Sequence, residues 1–224
     1  MKLVEKMLGL SARAVIKQLI IFYIVGVLIH LVPFTRPYAI ALTPFVLTGL
    51  GGWVFLYCLF PVNRTFIAWS AATYVVTYLL EAAGVATGAV FGSYVYGASL
   101  GFKVMGVPLV IGFNWLLIIL GLSALISSKI SNPFAASVAA AAACVLFDFI
   151  MEPVAIALDY WTWAGIDIPL QNYAAWGIIA FAASLAYNLL KMKIDYRIPA
   201  AYVAVQFVFF LVLRLALLIT GTAA

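Results

Sequence analysis

The sequence carries very little charge. Only 8% of its 224 residues are Asp, Glu, Lys or Arg, whereas 67% are hydrophobic and the mean hydropathy is +1.20. A water-soluble domain of this length could not cover its surface with so few polar side chains. The composition therefore excludes a soluble enzyme and indicates an integral membrane protein, which we expect to be a multi-pass protein of the cell (cytoplasmic) membrane.

Histidine and cysteine are also scarce. His30 is the only histidine, and the two cysteines, Cys58 and Cys144, both fall inside apolar runs. A metal site draws on several such residues at short spacing, so we expect no metal ion. The formal net charge is +5, but the basic residues are scattered between apolar runs, which argues against a nucleic-acid partner.

Long apolar runs are abundant. At about 20 residues per crossing, the chain has room for about seven transmembrane helices and for no separate soluble domain. We therefore predict an all-α bundle in which residues 1–224 form a single polytopic membrane domain. The predicted spans are 15–31, 38–60, 65–83, 107–127, 134–156, 173–190 and 198–220.

The basic residues predict the topology. If the N-terminus lies inside, the inner segments hold nine Lys and Arg residues and the outer connections hold two. Cytoplasmic segments carry such an excess, so the N-terminus is predicted inside and the C-terminus outside. The nine inner residues are Lys2, Lys6, Arg13, Lys17, Arg64, Lys129, Lys191, Lys193 and Arg197, and the two outer ones are Arg36 and Lys103.

The segment 84–106, between the third and fourth spans, is rich in glycine. Its glycines recur at near-helical spacing, which in a membrane helix would allow close approach to a neighbour. We expect either an extension of the third helix or a re-entrant loop covered by protein. The glycines are Gly84, Gly88, Gly92, Gly97 and Gly101.

Three acidic residues, Glu81, Asp148 and Glu152, fall within predicted spans at the outer half of the membrane. Ionised carboxylates are unfavourable there, which makes them functional candidates. Asp148 and Glu152 are four residues apart on one helical face, where desolvation and the like charge both disfavour a second ionised group. At least one of the pair is therefore expected to hold a proton. A structural alternative is an ion pair with Arg214, at the same predicted depth.

Other polar and aromatic residues share that depth. Asn114 and Asn172 lie near the outer ends of their helices, and His30 is expected at the membrane interface. The aromatic residues fit either an interfacial belt or the lining of a substrate pocket, and the sequence leaves both open. They are Tyr94, Tyr96, Trp161 and Trp163.

Two sets of motifs stand out between residues 81 and 177. The first is E-x-x-G-x-x-T-G-x-x-F-G-x-Y-x-Y from Glu81 to Tyr96, followed by Gly106-Val-Pro108 and Trp115. The second is Asp148 with Glu152-Pro153, Trp161-x-Trp163, Ile168-Pro169-x-x-Asn172 and Trp176-Gly177. Together they resemble the membrane carotenoid-biosynthesis family that contains the CruF-type carotenoid 1,2-hydratases and bisanhydrobacterioruberin hydratase.

This resemblance implies hydration of the terminal isopropylidene double bond of an acyclic carotenoid, C40 or C50, or of a related polyprenoid. It implies a cofactor-independent hydro-lyase in which Asp148 or Glu152 donates the proton and Glu81 is its catalytic partner. Water would then attack a tertiary carbocation. The residues that we expect to position substrate or water are Tyr94, Tyr96, Asn114, Trp115, Trp161, Trp163, Asn172 and Arg214. The lipid bilayer is the other expected partner, and the oligomeric state is left open.

Two other functions compete with this interpretation. A retinal-binding rhodopsin needs a lysine in its last helix, and residues 198–220 contain none. A proton-coupled transporter would use buried acids, but it would normally show repeats or interrupted helices in matching halves, and none is evident. A transporter or a lipid-binding membrane protein remains the alternative.

Overall fold

The computed structural model describes residues 11–60 and 62–220, and each predicted span coincides with a helix. Lys2 and Lys6, which contribute to the topology prediction, lie outside these residues. In chain order the helices are α1 (Ala12–Leu31), α2 (Arg36–Leu59), α3 (Arg64–Thr87), α4 (Leu109–Ser127), α5 (Pro133–Ala157), α6 (Leu170–Leu189) and α7 (Arg197–Thr220).

Within these described ranges, six of the helices are long and apolar enough to cross a membrane, and α6 is not among them. The polar residues of α6 lower its hydropathy, and three of them are Asn172, Ser184 and Asn188. The protein is therefore an all-α membrane bundle with six spans that meet these criteria, one fewer than predicted. α6 packs along α5, the helix with which it makes its most extensive contact.

Helix α4 lies at the centre of the bundle, where it contacts α2, α3, α5, α6 and α7. Of its most apolar stretch, 72% of the residues are buried inside the protein, against 17% for α1. Its sequence is apolar on every face, as expected for a helix surrounded by others. Helices α1 and α2 instead expose large apolar side chains, which is how lipid-facing helices appear.

The charged residues divide between the two ends of the bundle. Successive helices alternate in direction, so α3 and α5 end where α4 and α6 begin. The opposite end, where α3 and α5 begin, carries Arg64, Lys129 and Arg197 with other basic residues of the described chain. This distribution agrees with the predicted topology, which stays a prediction because the structure contains no membrane.

The segment 84–106 is not an extension of α3. The helix ends at Thr87 because Gly88 adopts a left-handed φ of 68°, and its N–H closes the last turn on the Gly84 carbonyl at 2.7 Å. Gly92, Gly101 and Gly106 also have positive φ, so these glycines serve turns and not a helical packing face. Of the two alternatives, the helical extension was wrong, because glycine spacing does not reveal φ. The re-entrant loop stays a prediction, because the structure contains no membrane.

Four short strands follow these turns. Strand β1 (Tyr94–Tyr96) pairs antiparallel with β4 (Trp161–Trp163), and β2 (Lys103–Val104) pairs with β3 (Val107–Pro108). The β1–β4 ribbon joins the chain after α3 to the chain after α5. At its end the Gly97 N–H donates to the Tyr160 carbonyl at 2.9 Å. A Cβ at Gly97 would lie 2.0 Å from the Asp159 carbonyl oxygen, so only glycine allows this close approach.

Alternation along the ribbon selects which side chains face the bundle. The register aligns Tyr94 with Trp163 and Tyr96 with Trp161, and these four side chains are buried. Val95, between the two tyrosines, is 63% exposed. Because side chains alternate between the faces of a strand, each three-residue strand directs two aromatic residues inward.

Candidate active site

Glu81 is held by the two tyrosines of the ribbon. Its side chain lies near the end of α3 and is 3% exposed. Oε2 accepts hydrogen bonds from the Tyr94 hydroxyl and from the Tyr96 hydroxyl, the latter at 2.8 Å. Burial, together with the nearby Glu81 carboxylate, raises the pKa of Tyr94 and Tyr96 above the usual tyrosine value. Both hydroxyls therefore stay protonated and act as donors to Glu81.

Glu152 is held in the same way by the two tryptophans. Its Oε2 accepts from Trp161 Nε1 at 2.9 Å and from Trp163 Nε1 at 3.0 Å. Each strand of the ribbon thus supplies two donors to one carboxylate. The rings of Tyr94 and Trp163 lie 4.9 Å apart between centroids, which ties the two halves of the site together.

Asp148 and Glu152 share a single amide. Asn172, in the first turn of α6, donates from Nδ2 to Asp148 Oδ2 at 2.7 Å and to Glu152 Oε1 at 3.2 Å. Both carboxyl groups are almost completely buried. Asp148 Oδ1 has no hydrogen-bond partner among the described residues, so one oxygen of this acid is available to another group.

These acids surround a small cavity, called here the acid cavity, of about 20 Å³. A water molecule needs about 10–15 Å³ measured in this way, so the space suits one water. Its other walls are aromatic: Trp115 stacks on Trp176 with centroids 3.6 Å apart, and Phe91 lies 5.1 Å from Trp176. The site therefore combines carboxyl groups with aromatic rings and has little room for water.

A second cavity of about 250 Å³ lies beside the first, between α1, α2, α4 and α7. It is mostly apolar and is called here the apolar cavity. Trp115, Met151 and Trp161 line both cavities and form the wall between them. At the outer edge it is lined by Val25 of α1 and Val46 of α2, which are 47% and 39% exposed on the lipid-facing surface.

Nine of the eleven predicted site residues line the acid cavity, and two do not. Asn114 lines the apolar cavity, where its Oδ1 accepts from Tyr202 at 3.2 Å and from Gln206 at 3.1 Å. Arg214 donates to the Phe149 carbonyl and lies over the Phe149 ring at 4.4 Å. The nine that converge are Glu81, Tyr94, Tyr96, Trp115, Asp148, Glu152, Trp161, Trp163 and Asn172.

The alternative ion pair between Arg214 and a buried acid is not formed. Over the described parts of the chain, the ion pair that is present joins Arg197 to Asp195 at the opposite end of the bundle. Arg214 sits late in α7, as predicted, but sequence depth does not reveal the direction in which a side chain points. The buried acids are therefore stabilised by neutral donors and not by a cation.

Three further residues line the acid cavity without having been predicted as site residues: Phe91, Met151 and Trp176. Helical spacing could have revealed Met151, because it is three residues after Asp148 and next to Glu152 on the same face of α5. Phe91 and Trp176 stand within the sequence motifs. Predicted depth had singled out Asn114 and His30 of the apolar cavity, whereas no sequence signal marks Tyr23 and Gln206, which are far apart in the sequence.

Among the described residues, no group of three or more His, Cys, Asp or Glu side chains could hold a metal ion. The chemistry that the site itself can provide is proton transfer among three carboxyl groups. Each group is desolvated and oriented by hydrogen-bond donors, and aromatic faces are ready to stabilise a developing cation.

Comparison with known proteins identifies the family. A bisanhydrobacterioruberin hydratase from Haloarcula japonica is 28% identical over 120 residues, which are 50% of this chain and 41% of the relative. This chain thus aligns with less than half of that protein's length. No solved structure matches the chain. The family described as carotenoid biosynthesis protein matches residues 45–224, a range that includes every residue around the acid cavity. Because this match covers most of the chain, the protein belongs to the carotenoid biosynthesis protein family, as its motifs predicted.

Proposed function

We propose that this protein is a cofactor-independent hydratase of the cytoplasmic membrane. It adds water to the terminal isopropylidene double bond of an acyclic carotenoid and yields a tertiary alcohol. The observation that carries the proposal is the acid cavity: three buried carboxyl groups meet there around space for one water, beside an apolar cavity. Family membership and the name of the Haloarcula japonica relative support the same chemistry.

Asp148 is the proton donor in this proposal. Glu152 accepts three N–H hydrogen bonds, and Glu81 accepts two O–H hydrogen bonds, and such donors favour the ionised form of a carboxyl group. Among the described residues, Asp148 accepts a hydrogen bond from Asn172 alone, and its Oδ1 has no partner. A proton on Oδ1 therefore disturbs no hydrogen bond of the protein and is available to an alkene.

The proposed reaction balances in atoms and in charge. Asp148 adds its proton to the less substituted carbon of the double bond, whose π electrons form the new C–H bond and leave a tertiary cation. The oxygen of one water bonds to that cation, and a proton of this water passes to Glu81. Glu81 then returns a proton to Asp148 through the acid cavity, which restores both carboxyl groups for the next turnover. Water is added without any gain or loss of electrons, so no redox partner is consumed.

The aromatic walls fit a cationic intermediate. The faces of Trp115 and Trp176, with Tyr94 and Trp163 of the ribbon, surround the acids, and ring faces attract a positive charge. The ionised Glu152 adds an opposite charge nearby. The same rings keep bulk water away, which limits the cation to the one bound water.

The apolar cavity provides access for the substrate. The acid cavity is too small for a branched end group, whereas the apolar cavity is more than ten times larger and shares a wall with it. Because Val25 and Val46 lie at its lipid-facing edge, a carotenoid dissolved in the bilayer can enter between α1 and α2. Met151 stands between the end group and the acids, and methionine adapts its shape readily.

The test is the pigment profile of a host that accumulates an acyclic carotenoid, with and without the protein. The proposal expects a new pigment heavier by one water for each hydrated end. Asp148→Asn should abolish it, while Asp167→Asn, at an exposed position in the connection before α6, should not. An unchanged profile on both C40 and C50 substrates, with the protein inserted in the membrane, would refute hydration and make transport the leading alternative.

A further inference from the structure

Three buried polar atoms at the apolar cavity lack hydrogen-bond partners among the described residues. They are the Tyr23 hydroxyl, His30 Nε2 and Gln206 Oε1, and all three residues line this cavity. His30 is 7% exposed and Gln206 is 1% exposed. Buried polar groups nearly always have a partner, so an unpaired set on one wall indicates a ligand. We call these residues the hydroxyl site.

The geometry defines which partner is missing. His30 Nδ1 lies 2.7 Å from the Gly26 carbonyl, which can only accept, so the proton is on Nδ1 and the neutral ring offers Nε2 as an acceptor. Gln206 donates from Nε2 to Asn114, which leaves its Oε1 as a second acceptor. The Tyr23 hydroxyl interacts with the nearby side chains of Tyr202 and Gln206, but it forms no hydrogen bond of normal geometry with the described residues.

Two acceptors and a hydroxyl require a ligand that can donate. A pure hydrocarbon has no such group and would leave both acceptors buried and unpaired. An anion is excluded because none of the described residues that line the cavity is Lys or Arg. The remaining lining is apolar, so the complementary ligand is a neutral O–H group carried by a long apolar chain.

We propose that the apolar cavity binds the hydroxyl-bearing end of an acyclic isoprenoid alcohol. The identity of this alcohol as the reaction product rests on the proposed function. Trp115, Met151 and Trp161 separate the hydroxyl site from the acids, so an end group that has been hydrated beside this wall moves away from it onto Gln206 and His30. The site thereby draws the product away from the acids that would dehydrate it again.

Binding tests this without catalysis. The full chain in lipid nanodiscs is titrated with an acyclic diterpene tertiary alcohol and with the matching diterpene hydrocarbon, and quenching of tryptophan fluorescence reports occupancy, since Trp115 and Trp161 line the cavity. The alcohol should bind about tenfold more tightly than the hydrocarbon, the effect of roughly one net hydrogen bond to a buried acceptor.

Two substitutions should remove this preference. Gln206→Leu and His30→Leu each delete one acceptor, so the alcohol should lose affinity while the hydrocarbon binds as before. Ser123→Ala is the matched control, because it deletes a buried partnerless hydroxyl that does not line the cavity, and the preference should persist. Either of the two Leu variants alone suffices if the other does not fold.

Equal binding of alcohol and hydrocarbon to the wild type would overturn the inference, since water alone would then satisfy the acceptors. A preference that survives in both Leu variants would overturn it as well. The two proposals fail in different ways. A protein that hydrates the carotenoid but binds alcohol and hydrocarbon equally refutes only the hydroxyl site. Alcohol preference in a protein that hydrates nothing refutes only the hydratase.

Discussion

The acid cavity and the apolar cavity share Trp115, Met151 and Trp161, yet their other walls differ in size and in hydrogen bonding. The acid cavity measures about 20 Å³, and both Glu81 and Glu152 are held there by paired donors. The apolar cavity measures about 250 Å³ and leaves acceptors unpaired. The rigidly held carboxyl groups of the acid cavity suit proton transfer. The larger apolar cavity, with its unpaired acceptors, suits the binding and release of a ligand.

The role assigned to the acid cavity can be tested by removing a carboxylate other than that of Asp148. Glu81→Gln should lower the rate of hydration by about 10²–10⁴-fold, the usual contribution of an acid or base in proton transfer. Asp195→Asn, at the opposite end, should leave it nearly unchanged. The measurement is the initial rate of alcohol formation by the purified protein in nanodiscs. Wild-type rates in Glu81→Gln would show that Glu81 accepts no proton.

Removing the wall between the cavities should have the next largest effect. Met151→Ala deletes a buried side chain and should lower the free energy of unfolding by about 2–5 kcal/mol. Met151→Leu keeps the volume and should cost less than about 1.5 kcal/mol. Thermal unfolding followed by circular dichroism measures both. If the alanine variant is no less stable than the leucine variant, Met151 does not fill the boundary between the cavities.

The ribbon can be tested through one indole. Trp163→Phe removes a donor to Glu152 Oε2 and should lower the free energy of unfolding by about 1–3 kcal/mol, because the buried carboxylate loses one of its partners. Trp53→Phe, in α2 and outside both cavity linings, is the control. If both variants lose the same free energy of unfolding, the Trp163 indole stabilises the protein by packing alone and not by its hydrogen bond.

Narrowing the outer edge of the apolar cavity should have the smallest effect. Val46→Trp places a large ring between α1 and α2 and should reduce kcat/KM by about tenfold, equivalent to about 1.4 kcal/mol, while kcat stays near its wild-type value. Val76→Trp, on the exposed face of α3, is the matched control. Unchanged kcat/KM in Val46→Trp would rule out access of the substrate between these helices.

The helices were predictable from the sequence because the thickness of a bilayer fixes the length of an apolar run. The buried acids were also predictable, since a carboxyl group inside a membrane span stands out against its neighbours. The nine proposed site residues that converge on one cavity all stand in the sequence motifs that carry the family resemblance, whereas the two that lie elsewhere do not.

The β1–β4 ribbon was not predictable in the same way. Tyr94–Tyr96 and Trp161–Trp163 are three residues each, and their pairing spans more than sixty positions of the chain. Three-residue strands have no periodicity to detect. The predicted depth of a residue also does not reveal the direction in which its side chain points. Arg214 therefore lies over Phe149, and Asn114 lines the apolar cavity, although both were predicted as site residues.

The most direct test of the central claim is the origin of the atoms added to the product. The purified protein is given an acyclic carotenoid in water enriched in deuterium and in heavy oxygen, and the alcohol is analysed by mass spectrometry. Hydration predicts that each new hydroxyl contains oxygen from water and that the adjacent carbon gains one deuterium. A hydroxyl oxygen derived from dioxygen, or an adjacent carbon without deuterium, would contradict acid-initiated hydration.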